Sequence, residues 1–176
     1  MLTVHGRTRC QMYNGQANWQ EISRVKESVK IPVIANGDIK NSQDAKNALD
    51  LSKADGVMIG RACYGKPWLI RQIADELINR PSISTPTIFE QREIVLNHFE
   101  EMIEHYGAQT GISLAKKHIG WYSSGLKDSA EFRAKINTMG CFSDNLSSAS
   151  KPSESNLQEI SKIRDTIRKF YDLQLS

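Results

Sequence analysis

Apolar positions in the first part of the chain alternate between short blocks and helical stripes. LTVHG (Leu2 to Gly6), IPVIA (Ile31 to Ala35) and GVMIG (Gly56 to Gly60) are brief, apolar and bounded by polar or glycine residues, which predicts three strands. The strands are continuously apolar rather than alternating, so burial on both faces is expected. Between them, Trp19, Ile22, Val25 and Val29 recur at helical spacing, and Asn18 with Glu21 three residues later forms a capping arrangement. SQDAKNALDLS gathers Ala45, Ala48 and Leu49 on one side, and PWLIRQIADELIN opens with Pro67 where a first helical turn tolerates proline. Strands alternating with helices over short connections predict a parallel sheet covered by helices.

The rhythm stops at RPSISTPT (Arg80 to Thr87), whose two prolines and several hydroxyls predict a linker. No strand pattern follows it. TIFEQREIVLNHFEEMIEHY carries Ile88, Ile94, Val95, Phe99, Met102 and Ile103 on one helical stripe. GISLAKKHIGWYSSG, SAEFRAKINTM and NLQEISKIRDTIRKFYDL predict three more helices, with SDNLSSASKPSES a polar loop before the last. The expected organisation is an α/β part over residues 1–80, a linker over 81–87 and a small helical bundle over 88–176.

Composition narrows the class. The 176 residues carry a net charge of +3, which mildly favours an anionic partner. Cys10, Cys63 and Cys141 show no paired spacing, which argues against a disulfide scaffold or a metal site and fits a reducing cytoplasm. No apolar run approaches the length needed to cross a bilayer, so a soluble protein without membrane or metal partners is expected. Charge divides within the helical part. Five glutamates against Arg92 give −4 over Thr85 to Tyr106, whereas Lys116, Lys117, Lys127, Arg133 and Lys135 against Asp128 and Glu131 give +3 over Ile112 to Lys135. Two solvated helix faces would explain this, and so would a one-sided anion-binding surface.

The strand ends carry the candidate chemistry. In parallel α/β folds ligands bind outside the carboxyl ends of the strands. These ends read His5-Gly6-Arg7, Asn36-Gly37-Asp38 and Gly60-Arg61. Glycine lets a bound group approach main-chain N–H donors, and arginine adds a forked cation suited to phosphate oxygens. Each piece also has a plain reading: Asn-Gly-Asp as a turn, His5 as a satisfied core histidine, Asp38 as a partner for Arg61 or a cap for the next turn. Three polar ends along one rim favour a phosphate site.

The stretches HGRTRCQMYNGQANW, IPVIANGDI and DGVMIGRACYGKPWL, followed by KKHIGWYSSG and EFRAKIN, resemble the tRNA-dihydrouridine synthases, particularly the bacterial B-type enzymes. The resemblance covers nearly the whole chain, least after Asn145. It implies the last three βα units of a TIM barrel followed by a tRNA-recruiting helical domain. In that family FMN, reduced by NADPH, delivers a hydride to C6 of a uracil in tRNA, and a cysteine acid protonates C5. By position, His5, Asn36, Gly37, Asp38, Gly60 and Arg61 would hold FMN, and Arg7, Arg9, Lys116, Lys117, His118 and Arg133 would meet tRNA phosphates. A uridine flipped out of folded tRNA would suit a basic helical clamp.

A complete barrel of this type needs about eight strands. The resemblance therefore implies a carboxy-terminal portion that lacks the family's catalytic cysteine, which precedes a proline. Here Cys10, Cys63 and Cys141 precede Gln11, Tyr64 and Phe142, so none is assigned as catalytic. A three-stranded sheet has two open edges, which predicts a separate chain supplying the rest of the barrel, self-association, or poor stability, and inactivity alone. The alternative is a non-catalytic RNA-binding protein using the basic helices, with Trp121, Tyr122 and Phe132 interleaved; helical spacing predicts that Trp121 and Phe132 are core.

Overall fold

The computed structural model describes residues 1–12, 14–140 and 154–175. It divides into two compact units, Met1–Thr85 and Pro86–Ser176.

The first unit alternates as the pattern predicts: β1 (Leu2–His5), α1 (Trp19–Ser28), β2 (Val33–Asn36), α2 (Ser42–Ser52), β3 (Gly56–Met58), a short 3-10 turn (Arg61–Cys63) and α3 (Trp68–Leu77). The three strands form one parallel sheet in the order β1-β2-β3. Local chemistry sets the helix ends. The Asn18 side chain accepts from the Glu21 N–H, and the Asn41 side chain from the Asp44 N–H. Pro67 stands one position earlier than expected, as the residue capping α3.

Strand burial departs from expectation. Val33 and Ala35 are fully buried with Ile22 beneath Val4, Trp19 and Val29, and Val57 and Ile59 pack against Ile39, Ala45, Ala48 and Ile73. Side chains alternate across a strand, so Thr3, His5, Ile34, Asn36 and Met58 lie on the opposite face. There Ile34 is half-buried and Met58 is 51% exposed. Helices cover one face of the sheet only, because all three βα connections bring their helices back to the same side. The apolar character of the strands therefore does not translate into burial on both faces.

Asp55 ties the amino end of the sheet. Its carboxylate accepts from the Val33 N–H at 2.7 Å and from Lys26 Nζ at 2.7 Å. The Lys26 and Val33 hydrogen bonds hold its pKa below the ordinary carboxylate value, outweighing desolvation.

The second unit contains α4 (Ile88–Tyr106), α5 (Ala108–Tyr122), α6 (Ser129–Thr138) and α7 (Glu154–Asp172). A capping box starts it: Thr87 Oγ1 accepts from the Glu90 N–H at 3.3 Å, and Glu90 Oε2 accepts from the Thr87 N–H at 2.7 Å. Val95, Phe99, Ile112, Ile119, Ile163 and Tyr171 fill the core, and Phe132 stacks on Phe170 with centroids 3.9 Å apart. Phe132 is thus core as expected, whereas Trp121 is only half-buried. The polar loop expected at Ser143 to Ser155 lies mostly outside the described residues, and its last two residues, Glu154 and Ser155, already belong to α7. Arg164 of α7 pairs with Glu100 of α4 at 2.8 Å, which neutralises part of the acidic surface of α4 within the unit, while Arg92 of α4 bonds Asp172 of α7. Among the described residues no helix is long and apolar enough to cross a membrane.

Candidate functional site

Parallel pairing sets the three strand ends side by side. His5 stands opposite Asn36, and Asn36 opposite Met58, two residues before Gly60. The Asn36 side chain donates from Nδ2 to the Met58 carbonyl at 2.8 Å and so ties the second strand end to the third.

The segment after β1 folds back over this rim. The Asn18 N–H donates to the Gly6 carbonyl at 2.7 Å, and Trp19 Nε1 donates to the Gly37 carbonyl at 2.8 Å. Between these anchors Ala17 sits so low that a Cβ on Gly6 would come within 2.9 Å of its methyl, and one on Gly37 within 2.8 Å. Gly37 also has φ +118, a conformation that residues with a Cβ rarely adopt. Both demands, contact and backbone, require glycine at position 37.

Asp38 and Arg7 meet in this turn. Arg7 Nη2 donates to Asp38 Oδ2 at 2.6 Å and to the Gly15 carbonyl at 2.7 Å, and Nε donates to the Asn14 carbonyl at 3.2 Å. The Ala17 N–H donates to the same Asp38 oxygen at 2.8 Å. The Arg7 side chain is only 4% exposed. Burial works against the Asp38 carboxylate, yet the Ala17 N–H, the Arg7 guanidinium and the charge of Lys40 hold its pKa below the ordinary value. Neither side chain is therefore presented to a ligand. Arg7 is turned inward, with Nε and Nη2 taken by the loop carbonyls and Asp38 and Nη1 buried without a hydrogen-bond partner. Asp38 pairs with Arg7 instead of Arg61 or a cofactor.

Open space remains at the third strand end. A Cβ on Gly60 would meet nothing within 4 Å, and Gly60 and Arg61 are both exposed. The Gly60 carbonyl accepts from the Cys63 N–H at 3.1 Å and from Cys63 Sγ at 3.0 Å, which closes the 3-10 turn. His5 is exposed on the sheet face that helices leave uncovered, with its Nδ1 accepting from the Arg7 N–H at 3.1 Å. His5, Asn36, Gly60 and Arg61 thus share one edge. Gly37 and Asp38 lie beneath it as its support. Ala17 was not singled out in the sequence, and Trp19 was read only as part of a helical stripe; the small residue between two strand-end glycines was the available sign of close approach.

The basic candidates of the second unit are distributed differently. Lys116 Nζ donates to the Asn137 carbonyl at 3.2 Å, at the carboxyl end of α6, where a cation complements the helix dipole. Lys117 is exposed, with Nζ 6.0 Å from the Trp121 ring centroid. The Arg133 stem passes over Gly120 of α5. His118 faces the bundle interior, its ring edge-on to His98 and to Trp121 at 4.9 Å each, and the His98 Nδ1 lies 3.1 Å from the Tyr122 hydroxyl. Burial first, then the charges of His98 and Lys117, lower the His118 pKa. This ring packs between helices rather than standing out as a phosphate contact. Arg9 is exposed in the loop after β1.

Cys10 is exposed and Cys63 half-buried; Cys141 lies outside the described residues. Among those described, no group of three or more His, Cys, Asp or Glu side chains is placed to hold a metal ion.

A parallel α/β unit with polar strand ends, joined to a helical unit, is the class of protein these features define. The family model described as dihydrouridine synthase matches residues 1–163, and the chain belongs to that family. A probable tRNA-dihydrouridine synthase of Rickettsia conorii is 59% identical over 139 residues, covering 79% of this chain and 42% of that protein. The tRNA-dihydrouridine synthase B of Pasteurella multocida is 42% identical over 139 residues, covering 78% and 42% respectively. The corresponding protein of Pseudomonas aeruginosa is 38% identical over 138 residues. The chain spans about two fifths of the length of these curated relatives, 42% in each case.

Proposed function

We propose that this chain contributes to reduction of uridine to dihydrouridine in tRNA, with FMN as the redox group and NADPH as the reductant. The three strands are read as the last βα units of a TIM barrel, and the helical unit as the part that engages tRNA. The observation that carries this reading is the shared edge of His5, Asn36, Gly60 and Arg61, with open space above Gly60 where a phosphate oxygen can approach the main chain.

FMN would be held by Gly60, Arg61 and Asn36, with His5 beside it, and when bound it supplies the hydride for the uracil ring. The chain's own residues bind and orient: Arg61 brings a cation to the rim, Asn36 links two strand ends, and Gly37 with Asp38 fixes the turn beneath them. Lys117, Arg133 and Arg9 are the candidates for tRNA phosphates. A separate chain completing the sheet at its open edges is part of the proposal, since Ile34 and Met58 lie on an uncovered face.

Flavin titration tests it. FMN is added to the full chain alone, and to the chain mixed with the part of the Rickettsia conorii relative that lies outside the match. Flavin quenching and dihydrouridine formation on unmodified tRNA are expected only in the mixture. Stoichiometric flavin on the chain alone removes the need for a partner. Absence of both signals in the mixture overturns the FMN reading, and tRNA binding that persists with a steep salt dependence then favours a non-catalytic RNA-binding protein.

A further inference from the structure

Arg7 is held through both its side chain and its main chain, although its Nη1 is buried without a hydrogen-bond partner. Its guanidinium is tied to Asp38 and to the Asn14 and Gly15 carbonyls, and its main-chain N–H donates to His5 Nδ1. The side chain is almost completely enclosed, at 4% exposure, so the main chain of Arg7 is held from both sides. The imidazole is confined too: a Cβ on Gly37 would lie 3.2 Å from His5 Cε1, so the ring rests against the turn that Asp38 anchors.

A neutral imidazole carries its proton on one nitrogen and accepts on the other, and the hydrogen bond made by one fixes the role of the other. Nδ1 accepts from Arg7, which leaves the proton on Nε2.

We propose that Arg7 is a positioning residue: clamped by Asp38 and the loop carbonyls, it presents its N–H to His5 Nδ1 and so fixes His5 as an Nε2–H donor at the rim. The ligand group this suits is a neutral or anionic acceptor, an oxygen or an unprotonated ring nitrogen, and a cation is disfavoured there. The inference rests on reading the rim as a ligand site, but the tautomer itself requires no ligand. It also accounts for a buried arginine one residue beyond the glycine that ends β1. The clamp links the loop after β1 to the turn after β2, so the donor direction of His5 depends on a carboxylate that does not touch it.

The test is a long-range proton–nitrogen correlation of the imidazoles in the nitrogen-labelled full chain at about pH 8, above the ordinary histidine range. His5 signals are assigned by their loss in His5→Gln. The expected wild-type pattern is two widely separated nitrogen signals, with the proton on Nε2. Asp38→Asn keeps an acceptor for the Ala17 N–H but removes the charge that holds Arg7, and should draw the two signals together as the tautomers exchange. Arg7→Lys keeps the charge without the fork and should do the same in part. The Trp19 indole N–H signal serves as the check that the turn remains folded. An averaged or Nδ1-protonated ring in the wild type overturns the proposal, as does an unaltered His5 pattern in both variants. The tautomer is read before FMN is added. FMN is then added together with the part of the Rickettsia conorii relative that lies outside the match, and failure of the Nε2 signal to move in that mixture counts against the cofactor reading alone.

Discussion

Arg7 and Asp38, 31 positions apart in the chain, meet at 2.6 Å in the turn beneath the strand-end rim. Each was a separate candidate for ligand contact; the two pair with one another, and Arg7 Nη1 is left buried without a hydrogen-bond partner. The groups left exposed on this edge are consequently fewer than the charged residues of the three motifs suggest.

Removing one partner leaves the other without its counter-charge. Asp38→Ala also orphans the Ala17 N–H. Discounted for the 24% exposure of the Asp38 side chain, the expected loss is about 2 kcal/mol. Urea unfolding followed by the Trp19 indole N–H signal, as distinct from those of Trp68 and Trp121, measures it. A change below about 0.5 kcal/mol, the usual range for surface substitutions, would mean the pair contributes little.

The two rim glycines should respond oppositely. Gly37→Ala forces a methyl against Ala17 and the His5 ring at positive φ, and should destabilise the first unit by about 3 kcal/mol. Gly60→Ala meets nothing within 4 Å and should cost markedly less. Under the proposed function it fills the space above the main chain and lowers FMN affinity in the reconstituted mixture. Thermal midpoints paired with flavin titrations separate the two effects.

Acid should weaken the helical unit through His118. Its folded-state pKa lies below the ordinary 6.5, chiefly because burial penalises the charged ring. The unfolded chain therefore takes up the proton first. The stabilising preference for a neutral ring is full above about 6.5 and is lost as pH falls below it toward the lowered value. Urea midpoints of the full chain between about pH 7.5 and pH 5 should fall, and His118→Gln should flatten that slope. An identical slope in the variant would assign the acid sensitivity elsewhere.

The lysine pair on α5 should divide. Lys117→Ala combined with Arg133→Ala is expected to weaken tRNA binding and reduce the salt slope by about 1.5 to 2, one counterion contribution per phosphate contact. Lys116→Ala should act mainly on stability, by about 0.5 kcal/mol, since its ammonium already serves the end of α6. A salt slope that changes more for Lys116 than for the other two would reverse the assignment.

Much of the architecture was legible because period and capping agree. Ser42–Ser52 is helical over the whole stretch the pattern predicts, and Asn18 caps α1 as its spacing with Glu21 suggested. Strand ends were legible through glycine. Pairings between loops were not: opposite charges at Arg7 and Asp38 carry no sign of which partner geometry will choose, and Arg61 was an equally plausible partner for Asp38. His118 shows the same limit. Beside two lysines it looked like part of a basic surface, whereas the helical period turns it toward His98. Burial of the strands was misjudged because apolar content does not report on which sides a sheet receives helices.

The nesting of Ala17 between Gly6 and Gly37 also restricts how this segment can change over generations. Each of the three is at its size limit given the other two; glycine at 17 would remove the closest contact of both neighbours, yet a Cβ on Gly6 would still meet the Asn18 nitrogen at 3.1 Å and one on Gly37 the His5 ring at 3.2 Å. Single-step enlargement at any one position is therefore closed off, and a bulkier rim would have to arise by concerted replacement. A library varying positions 6, 17 and 37 together would reveal that interdependence as an almost empty set of survivors around small side chains.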